Sequence, residues 1–391
     1  MTRSCTLHFA PPRSPLAARE QRMFKPIGSA LAPRDFDEPG EFRIGDLRPV
    51  VRSSDCRGMS DYAVPATPPA ATPSETSFRH TPAMLDEVLE LFEDVPDGTV
   101  LDATLGGGGH AAALLDSRPG LNLIGIDRDS AAIAAATQRL ARFGNRVHIV
   151  QARFDELAAI THAVLGDQKL SGVLFDLGVS TAQLDTPERG FSFRFEGPLD
   201  MRMDPRSGPT AAEILNAMSA QEIELLLRQN GESRLARRIA AAIVAAKPII
   251  RTDQLANVVA DAVPPAARRR GHPARRVFQG LRIETNSELS ILPGALDDAI
   301  ALTRTGGRVV VLSYHSGEDR IAKERFSFAA TGGCTCLSDL PCVCGALATV
   351  RLLMRGAKLP SEAEVRENAR AEAARLRAVE VIDPVPPRSV R

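Results

Sequence analysis

The segment Leu101 to His110, LDATLGGGGH, limits what this chain can fold into more than any other: an apolar run ends in four consecutive glycines and opens into helix-forming residues. Glycines at such a junction let the backbone take positive φ and lie close against a ligand. The next apolar run, Leu121 to Asp127, ends in an acid. A carboxylate about 20 residues after the glycines can accept the ribose hydroxyls of an adenosine-containing ligand. Gly106, Gly108 and Ala111 also satisfy G-x-G-x-x-G/A. Such a loop suits S-adenosylmethionine and NAD alike, so it predicts a nucleotide-binding fold and leaves the cofactor open.

The rest of the pattern supports an α/β fold. Strands are expected at 99–104, 121–127, 147–152 and 172–178, with helices between them. Continuously apolar strands alternating with helices imply a parallel sheet covered on both faces. A first helix is expected over Thr81 to Phe92, with Thr81 as N-cap and Pro82 at the first position. From 188 to 290 the chain reads as loop and then helix, with no strand. Strand signals return at 306–316, 348–354 and 376–382. The reading is one sheet domain, 78–187 and 291–391, interrupted by an all-helical insertion, 188–290. Residues 1–77 hold 11 of the 28 Pro and sustain no period, so a disordered tail is expected there, with Met59 as an alternative start.

Net charge is +0, so any argument for nucleic acid must be local. The chain has no Trp and only 4% aromatic residues, which argues against extended base stacking on aromatic platforms. No apolar run reaches the roughly 20 residues that span a bilayer. No secretory pattern opens the chain, and six Cys in so long a sequence do not read as a disulfide framework. A cytoplasmic protein is expected.

The strand GVLFDLG carries Asp176, which should point into the crevice outside the strand ends. A long, aperiodic loop, TAQLDTPERGFSFRFEGPLDMRMD, follows it directly; loops in that position usually carry function. Here the sequence resembles the RsmH/MraW family of bacterial 16S rRNA (cytosine-N4)-methyltransferases. The matching segments, in the family's order, are FRHTPAMLDEVL, LDATLGGGGH, GIDRDSAAI, ARFDEL, the 29-residue block from Asp176, FQGLRIETNSEL and SYHSGEDRIAK. They span roughly 78–391. The resemblance implies a class I, Rossmann-like methyltransferase sheet with an inserted helical domain. It implies S-adenosylmethionine as cofactor and, as partner, 16S rRNA within the small ribosomal subunit, methylated on N4 of one decoding-centre cytidine. Carried onto this chain, the cofactor contacts are Gly108, Gly109, His110, Asp127, Phe154, Asp176 and Gln183. Oligomeric state, a homo-oligomer included, stays open.

The sulfonium methyl is already activated, so rate should come from positioning and desolvation. An acceptor on the N4 hydrogen would make that nitrogen more nucleophilic; Asp176 or a backbone carbonyl of DLGVS could serve. His315 could touch base or phosphate or relay a proton, or be structural. Amino-methyltransferases of DNA carry D/N-P-P-Y at the matching strand end; this chain has Asp-Leu-Gly-Val. The densest basic stretch, with Arg268, Arg269, Arg270, His272, Arg275, Arg276 and Arg282, is expected to contact RNA phosphates and, through its Pro and Gly, to stay out of a helix. Cys334, Cys336, Cys342 and Cys344 form C-x-C-x5-C-x-C. That pattern suits structural Zn²⁺, redox pairing or an unliganded loop, and the resemblance does not supply it. An NAD-dependent dehydrogenase and a non-catalytic RNA-binding assembly factor are the competing readings.

Overall fold

The structure, a computed structural model, describes residues 82–265, 272–336 and 343–387. The expected tail, Thr81, Arg268 to Arg270 and Cys342 lie outside them. Strands β1 (Gly98–Asp102), β2 (Leu121–Asp127), β3 (Val147–Gln151), β4 (Leu170–Asp176), β5 (Thr303–Ser313), β6 (Ala348–Leu352) and β7 (Arg375–Val385) form one sheet. Its order is β3-β2-β1-β4-β5-β7-β6. β1 to β5 pair in parallel, and β7 runs antiparallel to both β5 and β6.

Period-two alternation along these strands sends neighbours to opposite faces. Leu101, Ile124, Val173, Phe175, Val309 and Val311 pack on one side, against Leu292, Leu296, Ile321 and Phe326. Val100, Leu123, Leu174, Val310 and Leu312 pack on the other, against Val88, Phe92, Leu114 and Leu140. Both faces are therefore dry, which is why the strands read as unbroken apolar runs.

The first helix, α1, spans Leu85–Glu93 rather than starting at Thr81. Met84 sits at its N-terminus with φ 51° and no side-chain cap. The cause is tertiary: the Met84 amide donates to Glu364 Oε1 (2.6 Å), and the Ala83 carbonyl meets His110 Nε2 (3.0 Å). These contacts hold the segment before Leu85 out of the helix.

Between β4 and β5 the chain builds α2 (Ala211–Ala217), α3 (Ala220–Gln229), α4 (Ala236–Ala245), α5 (Thr252–Ala262), α6 (Ala274–Asn286) and α7 (Glu288–Leu302). Thr210 and Ser219 cap α2 and α3 through reciprocal capping boxes with Glu213 and Glu222. The basic stretch departs from expectation here: Arg275, Arg276 and Arg282 all lie on α6. Pro273 precedes the helix, where its fixed φ is compatible with helical geometry. Gly280 faces Leu226 and Asn230 of the α3 region, so it serves close helix packing rather than helix breaking.

Asn286, the last residue of α6, ties the long loop down. Its Nδ2 donates to the Met201 carbonyl (2.8 Å) and its Oδ1 accepts from the Met203 amide (2.9 Å). The Asn286 carbonyl accepts from Arg128 just beyond β2 (3.0 Å). The loop leaving Asp176, the helical segment and the β2 end are thus joined at one residue.

Candidate active site

Three strands end in aspartate on the same sheet edge: Asp102 on β1, Asp127 on β2 and Asp176 on β4. The glycine loop closes over this edge. The Gly106 amide donates to Asp127 Oδ2 (2.8 Å), and the Asp129 amide donates to Asp127 Oδ1 (2.8 Å). Each carboxylate oxygen keeps acceptor capacity for a ligand hydroxyl. Gly108 has φ 73°, and a Cβ there would press on Leu140 and Ala136. It is the turn residue from which the helix Gly109–Ser117 starts. Gly109 packs so tightly that a Cβ would fall 2.6 Å from Pro82 Cγ.

His110 is buried beneath the loop, with Nε2 on the Ala83 carbonyl and Nδ1 3.5 Å from Asp176 Oδ2. Asp176 Oδ1 accepts from the Tyr314 hydroxyl at 2.7 Å, and the Asp176 amide donates to Thr104 Oγ1 at 2.5 Å. The carboxylate keeps 27% of its side chain exposed, so it is both oriented and open to a substrate. Burial, reinforced by the Asp176 charge, pushes the Tyr314 hydroxyl well above its ordinary range. Tyr314 therefore stays a donor to Asp176 throughout neutral pH.

Asp102 is almost wholly buried. Burial raises its carboxyl to about 8, with smaller contributions from Asp176 and Asp127 and an opposing hydrogen bond from the Thr104 amide. Burial also raises Asp127, against the amides of Asp129 and Gly106. Asp102 therefore keeps its proton at neutral pH.

Phe154 begins a short 3₁₀ turn after β3 and meets Phe175 edge-on, with ring centroids 6.0 Å apart. Gln183 is buried; its Nε2 donates to Asp129 Oδ2 (2.8 Å) and its Oε1 accepts from the Ser180 amide (3.0 Å). Arg189 reaches the same Asp129 oxygen at 2.9 Å. Gln183 thus anchors the start of the long loop to the cofactor edge.

His315 has a different place. Its Nδ1 accepts from the Gly317 and Glu318 amides (3.2 and 3.4 Å), capping the helix α8 (Ser316–Thr331). Its Nε2 lies 3.1 Å from Glu318 Oε1. Burial alone would raise Glu318; His315, Arg282 and the Tyr314 amide overcome it and hold the carboxyl below its ordinary value. Nδ1 is taken up by the cap, while the buried Nε2 faces the Glu318 carboxylate without a formed hydrogen bond, a place that suits a framing role. Arg282 is engaged too, in a two-pronged pair with Glu288 (2.9 and 2.9 Å), and is largely buried. Arg275 and Arg276 are exposed. Arg276 makes a surface pair with Glu232 at 2.8 Å, a contact that costs little to exchange. Just before them, His272 stacks on Phe193 of the long loop, with ring centroids 4.5 Å apart.

Sequence reasoning passed over Asp102, Tyr314, Asp129 and Glu318. Asp102 had a signal, since VLD, GID and LFD each end an apolar strand in aspartate. Tyr314 and Asp129 had none, because their partners Asp176, Gln183 and Arg189 are distant in sequence; Glu318 closes a local capping box with His315.

The donor set discriminates between cofactors. NAD would bring a pyrophosphate to the glycine loop, beside the Asp127 and Asp176 side chains, which offer it acceptors rather than donors. S-adenosylmethionine brings a sulfonium and an ammonium, both cationic, and adenosine hydroxyls for Asp127. The residues fit it, and sheet order, glycine loop and acidic edge together define an S-adenosylmethionine-dependent methyltransferase of the class I, Rossmann-like fold. The sequence profile of the MraW methylase family matches residues 77–382, and the chain belongs to that family. A relative from Heliobacterium modesticaldum, named "Ribosomal RNA small subunit methyltransferase H", is 45% identical over 311 residues, 78% of this chain and 99% of its own. Another of the same name, from Thermobifida fusca, is 48% identical over 308 residues, 77% of this chain and 93% of its own. A crystal structure titled as a putative rRNA-methylase from Clostridium thermocellum aligns with 77% of this chain and 97% of its own, at 14% identity and a TM-score of 0.35. Among the described residues no helix is long and apolar enough to cross a membrane.

Proposed function

We propose that this chain methylates the exocyclic N4 of a cytidine in the decoding centre of 16S rRNA. The observation that carries this reading is Asp176: a carboxylate at the end of β4, oriented by Tyr314 and His110, and partly open at the edge where the cofactor fits. Relatives named as rRNA small subunit methyltransferases support the substrate class.

S-adenosylmethionine supplies an activated methyl group when bound. The chain's own residues do the rest. Asp127 and the glycine loop hold the adenosine end. Asp176 accepts an N–H of the incoming amino group, which draws electron density back onto N4 and aligns its lone pair. Tyr314 and His110 keep that carboxylate in place, and Thr104 holds its backbone amide, so little reorganisation accompanies the reaction. The proton released from N4 then passes to the Asp176 carboxylate.

Arg275 and Arg276, beside the Phe193–His272 stack on the loop that leaves Asp176, would contact RNA phosphates. The Arg275→Ala/Arg276→Ala double variant should weaken RNA binding and reduce its salt slope by roughly 0.7 per lost phosphate contact. An unchanged slope would move the RNA path elsewhere.

The decisive experiment is methyl transfer to small subunits and to naked rRNA from cells lacking this protein, with the modified base identified by mass spectrometry. N4-methylcytidine is expected. A methyl group on another base, or none on either substrate, would overturn the proposal.

A further inference from the structure

The chain between α8 and β6 leaves and returns through a narrow neck. Gly332 ends α8 with φ 59°, and a Cβ there would fall 2.3 Å from the Leu347 carbonyl oxygen and 2.6 Å from its nitrogen. The outgoing and returning arms therefore touch. On the outgoing arm, the Gly333 amide donates to the Phe328 carbonyl (3.2 Å) and the Cys334 amide to the Thr331 carbonyl (3.0 Å). On the returning arm, Gly345 turns the backbone with φ 70° directly after Cys344.

Among the described residues of this excursion, Val343 is 87% exposed, and Leu347 is also exposed. It carries clustered sulfur: the Sγ atoms of Cys334, Cys336 and Cys344 lie within 4.8 Å of one another, two from the outgoing arm and one from the returning arm. In tetrahedral zinc sites, Zn–S bonds of about 2.3 Å place sulfurs about 3.8 Å apart. The three thiols need to close by about 1 Å at most to meet that geometry.

We infer that Cys334, Cys336 and Cys344 form a binding site for a thiophilic divalent cation, zinc by its chemistry, that clips the two arms of this excursion together. Thiolates select zinc over magnesium or calcium, which prefer oxygen ligands. On binding, each thiol gives up its proton and the cation takes three sulfur bonds, so metal uptake releases protons and weakens as pH falls. The site lies beyond the C-terminal end of α8, whereas the His315 cap beside the active edge is at its N-terminal end. Its role is structural, and it stands independently of the methyl-transfer reading.

The test uses the full chain, purified under reducing, chelator-free conditions. Elemental analysis should find about one zinc per chain. Cobalt(II) in place of zinc should give a thiolate-to-metal charge-transfer band with tetrahedral d–d absorption. Cys336→Ser should lose most of the bound metal while binding of S-adenosylmethionine is unchanged. The wild-type metal content and cobalt spectrum need no variant and so do not depend on its folding. Zinc-free protein with titrated, reduced thiols and no charge-transfer band would overturn the inference. So would a disulfide among these cysteines in reductively purified protein, or full zinc retention in Cys336→Ser.

Discussion

β4 and β5 lie side by side, Asp176 pairing in register with Leu312, and each ends in polar residues at the same sheet edge. At the end of β4, Asp176 is held by Tyr314 and Thr104 and still faces outward. At the end of β5, His315 is drawn into the first turn of α8 and closed against Glu318. The residue types alone would rank histidine first as a proton-handling group. The difference is in what the backbone demands: β4 runs into a loop that leaves the carboxylate open, whereas β5 runs straight into a helix whose free amides need an acceptor. Tyr314, between them, links the two strand ends.

The comparison breaks first at Asp176. Asp176→Ala should lower kcat/KM for methyl transfer about 10³-fold, in the range of a positioned proton acceptor, with circular dichroism retained. Full activity in that variant would remove the β4 end from the chemistry. Tyr314→Phe should be milder, a fall in kcat of roughly tenfold from loss of one hydrogen bond to a charged group. Donor affinity should hold; a loss confined to donor affinity would mean that Tyr314 shapes the cofactor pocket instead.

Asp102 sharpens the comparison through pH. Its folded carboxyl titrates near 8 against an ordinary value of 3.8. Between those values the folded chain holds a proton that the unfolded chain has released, so stability from this group is full below the lower value and falls as pH rises through the upper. Asp102→Asn should flatten the loss of melting temperature between about pH 4 and about pH 8. An unchanged profile would show that Asp102 ionises normally. The smallest effect belongs to His315: His315→Ala should cost about 1 kcal/mol of stability as a lost N-cap and leave turnover per folded molecule intact. His315→Asn, which can also cap, should recover that stability. A collapse of kcat in folded His315→Ala protein would return the ring to the reaction.

Much of this was readable residue by residue. LDATLGGGGH predicts a strand, turn and helix because glycine content and apolar spacing are local properties, and the structure has them at Gly98–Asp102 and Gly109–Ser117. Asp127 and Asp176 stand at strand ends because strand length and apolar runs are local too. Met84 was unreadable: Glu364, 280 residues away, takes its amide. The helical state of Arg275 and Arg276 was misjudged because Pro273 starts a helix as readily as it ends one, and packing of Gly280 on α3 decides which.

The glycine loop, the strand-end aspartates and the order of elements were determined by sequence alone, since period and turn chemistry act within a few residues. Tertiary structure alone decided which polar groups remain available. Asp176 keeps part of its side chain exposed while Gln183 and Arg282 are drawn into contacts with Asp129 and Glu288, because a buried polar atom must find a partner, and those partners lie on elements that only the fold brings together.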